Sequence, residues 1–292
     1  MGSQPSRSNP VLPPACSLVA PRDGHALVTT YRYQLHTHTY RCKHASGDVP
    51  DYARVAAAGG CPILGMSDHA PLPDGRWEGV RMAMAQLDEY EAAICLAQRL
   101  QPTVRILRGL ECEWMPAFDG YYRDEILGAR GYDYLIGAGH FTEFEEGWKS
   151  SFEHLATTSA LIRYARMMEG VMASGLFAFI AHPDLIGCCN DRWTPETAAC
   201  ARDLCAASVA TGVPLELNGY GFRKPWRDTP EGHRPQYPWI PFWEIAAEHG
   251  VRVVLNSDAH LPEDTLANFD DLCAIRDRFG LVEADLGKLV AS

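Results

Sequence analysis

The stretch VTTYRYQLHTH, residues 28–38, joins a run of β-branched and aromatic residues to two histidines. Residues of these types favour strands, so we predict a strand over Val28–Leu35 with the histidines just past its end. Similar short runs recur along the chain and alternate with longer segments whose apolar residues have helical spacing. This alternation is typical of βα units and predicts an α/β fold with a parallel sheet or barrel.

Seven strands and several crossover helices are predicted in this way. The strands are Val28–Leu35, Ile63–Ser67, Val104–Leu110, Tyr132–Ala138, Phe177–Ala181, Val213–Leu217 and Val251–Asn256, and the helical segments include Gly79–Leu100, Phe152–Ala173, Pro195–Thr211 and Pro238–His249. A chain of 292 residues can bury one large core, and its length fits a single α/β barrel as well as two smaller domains; we expect one domain, over residues 23–292. Residues 1–22 are predicted to be a flexible N-terminal arm, and Gly219–Pro241 a long loop.

The composition argues against several classes of protein. A net charge of −11 disfavours a nucleic-acid partner, because binding a phosphate backbone requires a surplus of Lys and Arg. The chain shows no signal peptide and no apolar run of about 18 residues, so neither export nor a membrane span is indicated. Its ten cysteines include no CxxC pair and are interpreted as reduced thiols. We therefore predict a cytoplasmic protein that acts on a small molecule, and the sequence leaves its oligomeric state open.

Histidines and acidic residues follow the predicted strands. Seven of the eleven histidines lie at or just past a strand end, and two carboxylates share this placement. The set consists of His36, His38, His44, His69, His140, His182, His260, Glu111 and Asp258. Because the carboxyl ends of parallel strands meet at one edge, we expect these side chains to converge there.

We predict that this set forms a metal centre, because His, Glu or Asp recurs at the ends of successive strands. A single pair such as His36 and His38, whose rings share one face of an extended segment, could arise by accident in a barrel strand. Zinc takes about four ligands, so nine candidates suggest two or three ions, with Glu111 as a bridging carboxylate. Imidazole with some carboxylate suits Zn, Fe or Mn. Such ions can activate a water to hydroxide and hold phosphate oxygens, which points to hydrolysis of a phosphate ester.

The order of these motifs resembles the polymerase and histidinol phosphatase (PHP) superfamily. The matching motifs are His36-Thr37-His38, His44, Ser67-Asp68-His69, Gly109-Leu110-Glu111, Gly139-His140-Phe141, Ala181-His182-Pro183 and Ser257-Asp258-Ala259-His260. The resemblance implies a distorted TIM-like (β/α)7 barrel with a trinuclear site. It also implies three ligand sets: His36, His38, Glu111 and Asp258 for one ion, Glu111, His140 and His182 for a second, and His44, His69 and His260 for a third.

Within that superfamily the chain looks most like the histidinol-phosphate phosphatase branch. This likeness rests on the residues around Arg41–Ala45, Tyr132–Gly137 and Asn218–Lys224. The stretches at residues 142–150 and 219–241 depart from the expected pattern, and both are expected to line the substrate mouth. The first substrate to consider is L-histidinol phosphate. A nucleotide, a sugar phosphate, a phosphate of specialised metabolism and a non-catalytic metal-stabilised module remain alternatives.

Residue roles follow from this scheme. We predict that catalysis depends on Glu111, Asp258 and His182, and that metal-activated hydroxide attacks phosphorus. Four basic residues are candidates to neutralise the substrate phosphate, with solvated surface charge as the alternative for each. They are Arg41, Lys43, Arg223 and Lys224. The group that protonates the leaving alkoxide is left open between a metal-bound water and an ionisable residue at the mouth.

Overall fold

A parallel sheet of seven strands forms the centre of the structure, a computed structural model that describes residues 32–290. The strands of the chain are β1 (Ile63–Met66), β2 (Arg105–Glu113), β3 (Tyr134–Ala138), β4 (Phe141–Phe144), β5 (Gly147–Ser150), β6 (Phe179–Ile180), β7 (Leu215–Asn218), β8 (Arg227–Thr229), β9 (Gly232–Arg234), β10 (Arg252–Asn256) and β11 (Val282–Glu283). The sheet has the order β1-β2-β3-β6-β7-β10-β11, and every neighbouring pair is parallel. Six of its strands overlap predicted ones, although β2 continues past its predicted end at Leu110, so that Glu111 lies inside the strand. The predicted arm at residues 1–22 lies outside the described residues.

The first predicted strand differs from the structure. Its described part makes only isolated bridges, in which Gln34 pairs with Leu64 of β1 and Thr37 pairs with Ala259, just after β10. The segment thus changes its hydrogen-bonding partner within three residues, and no continuous ladder can form. Side-chain amides supply two of the remaining bonds: Asn256 Oδ1 accepts from Leu35 N at 2.8 Å, and Gln34 Oε1 accepts from Ser257 N at 2.8 Å. The segment that carries the first two histidines therefore spans the gap between β1 and the end of β10.

Helices cover the outside of this sheet. They are α1 (Val49–Ala58), α2 (Leu87–Leu100), α3 (Ser151–His154), α4 (Thr158–Ala173), α5 (Pro195–Thr211), α6 (Ile240–Glu248) and α7 (Phe269–Phe279). Helix α5 has the predicted bounds because Thr194 and Thr197 form a capping box at its start and Gly212 ends it at φ +73°. The segment predicted from Gly79 becomes helical only at Leu87, after two short 3-10 turns. The sequence interpretation had not identified α1 and α7.

The interior of the barrel changes character along the strands. Residues at alternate positions of β2 share a face, and on this face Leu107 lies within an apolar cluster while Glu111 lies near the carboxyl end. Between them Gly109 makes room for the ring of Tyr134, since a Cβ there would lie 2.4 Å from Tyr134 Cζ. The Tyr134 hydroxyl donates to the Leu35 carbonyl at 2.6 Å. The amino end of the barrel interior, here called its floor, is thus apolar, and the carboxyl end is polar.

The two segments predicted to line the mouth are ordered by short hairpins. Strands β4 and β5 pair over residues 141–150, and β8 pairs with β9 within the long loop before α6. Trp77 stacks on Phe141 at 4.0 Å and meets Trp148 edge-on at 5.6 Å, which ties the first hairpin to the loop after β1. Across residues 32–290, no helix has the length and apolarity needed to cross a membrane.

Candidate metal centre

The nine predicted ligands come together at the carboxyl ends of the strands. Eight of them are buried, and His44 alone is exposed. They reach this edge from the bridging segment, the residues after β1, the end of β2, and the residues after β3, β6 and β10. Two of the residues, His182 at φ +27° and Asp258 at φ +51°, adopt the left-handed region that non-glycine residues rarely occupy. Such strain is a common feature of functional sites, where the surrounding contacts hold the backbone in place.

Glu111 lies at the centre of the cluster and faces two groups of imidazoles. Its Oε1 is 3.2 Å from His140 Nε2 and 3.1 Å from His182 Nε2. Its Oε2 is 2.9 Å from His69 Nδ1, 3.4 Å from His36 Nε2 and 3.5 Å from His38 Nε2. Each carboxylate oxygen therefore has its own set of nitrogen neighbours, which is the arrangement expected of a carboxylate shared between two ions.

Asp258 and three histidines complete the cluster on the other side. Asp258 Oδ1 lies 3.1 Å from His38 Nε2 and 3.6 Å from His36 Nε2. The ring of His44 lies 5.3 Å from that of His69 and 4.9 Å from that of His260. The three histidines that the resemblance grouped together are thus neighbours in space, beside the group around Asp258.

The central atoms of the cluster are better placed to bind a metal ion than to form hydrogen bonds with one another. Within the described chain, His36 Nε2, His38 Nε2, both Glu111 oxygens and Asp258 Oδ1 are buried without a hydrogen-bond partner. Leaving a buried polar group unpaired costs about 1–3 kcal/mol, so several such atoms facing one point are rarely tolerated without a ligand. Imidazoles and carboxylates are also the donors that Zn, Fe and Mn accept. The residues present therefore suit bound cations.

The charges of the two carboxylates support the same conclusion. Burial alone would raise the pKa of Glu111, but His140, His36 and His69 outweigh it and hold the pKa well below its ordinary value. The pKa of Asp258 is likewise held well below its ordinary value against burial, chiefly by His36. Both groups are therefore ionised at neutral pH and can act as anionic ligands.

A buried glutamate that the sequence interpretation missed orients His36. Glu216 on β7 has no exposed surface, and its Oε1 lies 2.8 Å from His36 Nδ1. Because a carboxylate only accepts hydrogen bonds, this contact places a proton on Nδ1 and leaves Nε2 directed at the cluster. The amides of Asn218 and Asn256 donate to Glu216 at 2.8 and 2.9 Å and fix its position.

Glu113 holds His140 in the same way. Its Oε1 lies 2.5 Å from His140 Nδ1, and its carbonyl accepts from the Tyr122 hydroxyl at 2.8 Å. The signal for both glutamates was present in the sequence as two-residue spacing, since Glu113 follows Glu111 and Glu216 precedes Asn218 on one strand face. Neither glutamate comes directly after a predicted strand, so position at a strand end did not identify them.

The four basic candidates for the substrate phosphate occupy very different places. Arg41 is buried in ion pairs with Asp48 and Glu89, at 2.6 and 2.8 Å. Lys43 is exposed and donates to the Glu78 carbonyl. Neither residue lines the cavity above the cluster.

The remaining two candidates are adjacent in sequence but differ in role. Arg223 donates to the carbonyls of Ser257 and Asp258 at 2.7 and 3.1 Å and thereby holds in place the segment that carries Asp258. Lys224 lines the cavity, with Nζ 4.3 Å from the ring centre of Tyr220. Burial lowers the pKa of Lys224, and no carboxylate of residues 32–290 forms an ion pair with it. Lys224 is therefore available to an anionic ligand.

A cavity of about 390 Å³ opens directly over the cluster. Outside the cluster, its walls combine four aromatic residues with three charged ones, and its volume is that of a small-molecule site. Besides cluster residues, it is lined by Val80, Arg81, Phe141, Ser150, Phe152, Glu153, Tyr220, Lys224 and Tyr237. Arg81, which the sequence interpretation missed, is buried and donates to the Ala70 carbonyl at 3.0 Å.

Comparison with known proteins places this arrangement in a family. The model of the PHP domain family matches residues 34–219. A Deinococcus radiodurans protein named "Probable histidinol-phosphatase" is 32% identical over 247 residues, which cover 81% of this chain and 89% of that protein. The name agrees with the predicted enzyme class.

Two solved structures share the fold. A histidinol phosphate phosphatase from Lactococcus lactis, solved with zinc, L-histidinol and phosphate, has a TM-score of 0.67 at 16% identity, over 87% of this chain and 96% of that one. A Listeria monocytogenes protein provisionally assigned as a histidinol phosphatase has a TM-score of 0.67 at 20% identity, over 82% and 99%. These likenesses confirm the predicted distorted TIM-like barrel.

Proposed function

This chain belongs to the PHP domain family, and from that membership we propose that it is a metal-dependent phosphatase that hydrolyses a small phosphate monoester, with L-histidinol phosphate as the first substrate. The observation that carries the proposal is the set of buried, unpartnered nitrogen and oxygen atoms around Glu111, directly below a cavity of small-molecule size. Hydrolysis adds water at phosphorus and breaks the bond to the alcohol oxygen. The products are inorganic phosphate and the free alcohol.

We propose the three ligand sets given by the resemblance. His36, His38, Glu111 and Asp258 would hold one ion, Glu111, His140 and His182 a second, and His44, His69 and His260 a third. Bound ions of this kind lower the pKa of a coordinated water and neutralise phosphate oxygens. Because eight of these ligands are buried and two are oriented by Glu216 and Glu113, the chain presents the set in a fixed geometry.

The residues of the chain have distinct tasks in this scheme. Glu111 and Asp258 supply negative charge, His182 belongs to the group around Glu111 Oε1, and the neutral imidazole nitrogens complete the set. Lys224 is the basic residue we assign to the substrate phosphate, because it lines the cavity and its ammonium contacts the rings of Tyr220 and Phe152 but no carboxylate of residues 32–290. Arg223 acts through the backbone of Asp258 and is a positioning residue.

The test combines metal analysis with a phosphate-release panel. Purified protein should contain Zn, Fe or Mn, and its turnover of L-histidinol phosphate should reach a kcat/KM of about 10⁴ M⁻¹s⁻¹ or above. The panel includes nucleoside monophosphates and sugar phosphates, and a higher kcat/KM for one of these would transfer the assignment to that ester. Metal content without phosphate release from any ester would contradict the proposed activity and favour a non-catalytic metal-stabilised module.

A further inference from the structure

Three acidic side chains line the cavity, and only one of them is free to meet a substrate. Glu111 and Asp258 face the imidazoles of the cluster. Glu153 is exposed at the cavity wall, and within residues 32–290 no Lys, Arg or His forms an ion pair with it. Its carboxylate therefore contributes an uncompensated negative charge to the mouth of the site.

The backbone that carries Glu153 is anchored to the metal centre. It lies on α3, whose first residue, Ser151, donates its backbone N–H to the His140 carbonyl at 2.7 Å. The Ser151 hydroxyl also lies 2.9 Å from that of Thr142, and the ring of Phe152 stacks 5.8 Å from the ring of His140. One short helix thus joins Glu153 to a candidate ligand, so its backbone is held beside the metal centre at the wall of the cavity.

The cavity also carries a separate positive charge. Lys224 Nζ lies 5.3 Å from the ring of Phe152, the residue next to Glu153, yet the two opposite charges do not form an ion pair. A cavity that keeps an acid and a base apart is complementary to a ligand that carries both charges. Such a ligand would present its phosphate to the cluster and Lys224 and its cationic group to Glu153.

We infer that Glu153 is the specificity-determining residue of this enzyme, which binds a positively charged amino group on the alcohol part of the substrate. The substrates it favours are accordingly phosphate esters of amino alcohols. The inference rests on the proposed phosphatase activity and adds the residue that recognises the leaving group. Because Glu153 is partly exposed, solvent screens its charge, and the effect of its removal should be moderate.

A matched pair of esters tests this assignment. L-Histidinol phosphate and its deamino analogue differ by one ammonium group, and kcat/KM is measured for both with wild type, Glu153→Gln and Glu153→Lys. The wild type should prefer the ammonium ester by about tenfold or more, which corresponds to about 1.4 kcal/mol. Glu153→Gln should bring the ratio near one with the deamino ester affected less than about twofold, and Glu153→Lys should invert it.

Glu143→Gln provides the control. Glu143 lies on β4 of the adjoining hairpin, is exposed and does not line the cavity, so the same loss of charge there should leave the ratio unchanged. Equal ratios in wild type and Glu153→Gln, or a wild type that does not discriminate, would overturn the assignment while the phosphatase activity stands. Absence of phosphate release from both esters would overturn the phosphatase proposal, and the assignment with it.

Discussion

The two ends of the barrel interior are built from the same strands but are chemically opposite. At the amino end, Leu107, Ile63 and Tyr134 belong to an apolar cluster with almost no exposed surface. At the carboxyl end, the same strand that carries Leu107 carries Glu111, which is equally buried among charged groups. Burial stabilises the first set, whereas the second is buried at a cost that only ligands can offset. The comparison indicates that side chains at the amino end of the interior, on one side of Gly109, contribute mainly to stability. Side chains at the carboxyl end, on the other side, contribute mainly to function.

The largest effect should come from Glu111→Gln at the polar end. This change keeps the shape of the side chain but removes the charge that faces five imidazoles. With several kcal/mol of transition-state stabilisation depending on the metals, kcat/KM should fall by about 10³-fold or more. Metal content should fall in parallel, as measured by elemental analysis, while circular dichroism stays native. Full activity in the variant would remove Glu111 from the centre.

Leu107→Ala should have the opposite effect to Glu111→Gln, because it should lower stability and leave activity nearly unchanged. Leu107 is 3% exposed in the floor of the barrel, so its truncation leaves a cavity and should lower the free energy of unfolding by about 2–5 kcal/mol. The polar end is untouched, and kcat/KM per folded molecule should change little. Denaturant unfolding and steady-state kinetics on the same preparation check both halves. A stable but inactive Leu107→Ala would contradict the division of the interior into two ends.

Glu216→Gln tests a residue between these extremes. It has no exposed surface, and it orients His36 without being one of the proposed ligands. Loss of such a partner typically costs 10- to 100-fold in metal affinity or activity, so we expect a kcat/KM lower by about that amount. Part of the loss should be recovered when metal is added in excess, which would separate weakened ligation from misfolding. An unchanged metal affinity would indicate a purely structural role.

The smallest effect expected is at Lys224. Lys224→Ala should raise KM for the phosphate ester by about tenfold, since a charge-assisted hydrogen bond contributes about 1.5–3 kcal/mol before solvent screening. Lys43→Ala is the matched control, because Lys43 is exposed and lies outside the cavity. Equal effects of the two substitutions would show that net charge, and not position, governs binding.

Much of the site could be predicted because its residues follow strands. His69, His140 and His182 each come shortly after a strand and Glu111 lies near the end of β2, and parallel strands bring their ends to one edge whatever the packing details. The first strand was less predictable. Its β-type residues indicated a ladder, but Gln34 and Thr37 bridge two different partners, which no local pattern records.

The sequence by itself determined the α/β class and the identity of the strand-end residues, because burial on a strand produces a periodic pattern of apolar residues. The choice of a barrel over an open sheet came from the resemblance of the motifs to a known superfamily. Only the tertiary structure decided the different roles of residues that are neighbours in the sequence. Arg223 and Lys224 look alike in sequence, yet the first clamps the backbone of Asp258 and the second lines the cavity. The pairing of Glu216 with His36, 180 residues apart, was likewise invisible. Such contacts depend on how strands pack across the barrel. Local periodicity carries no information about which residues meet when they are far apart in sequence.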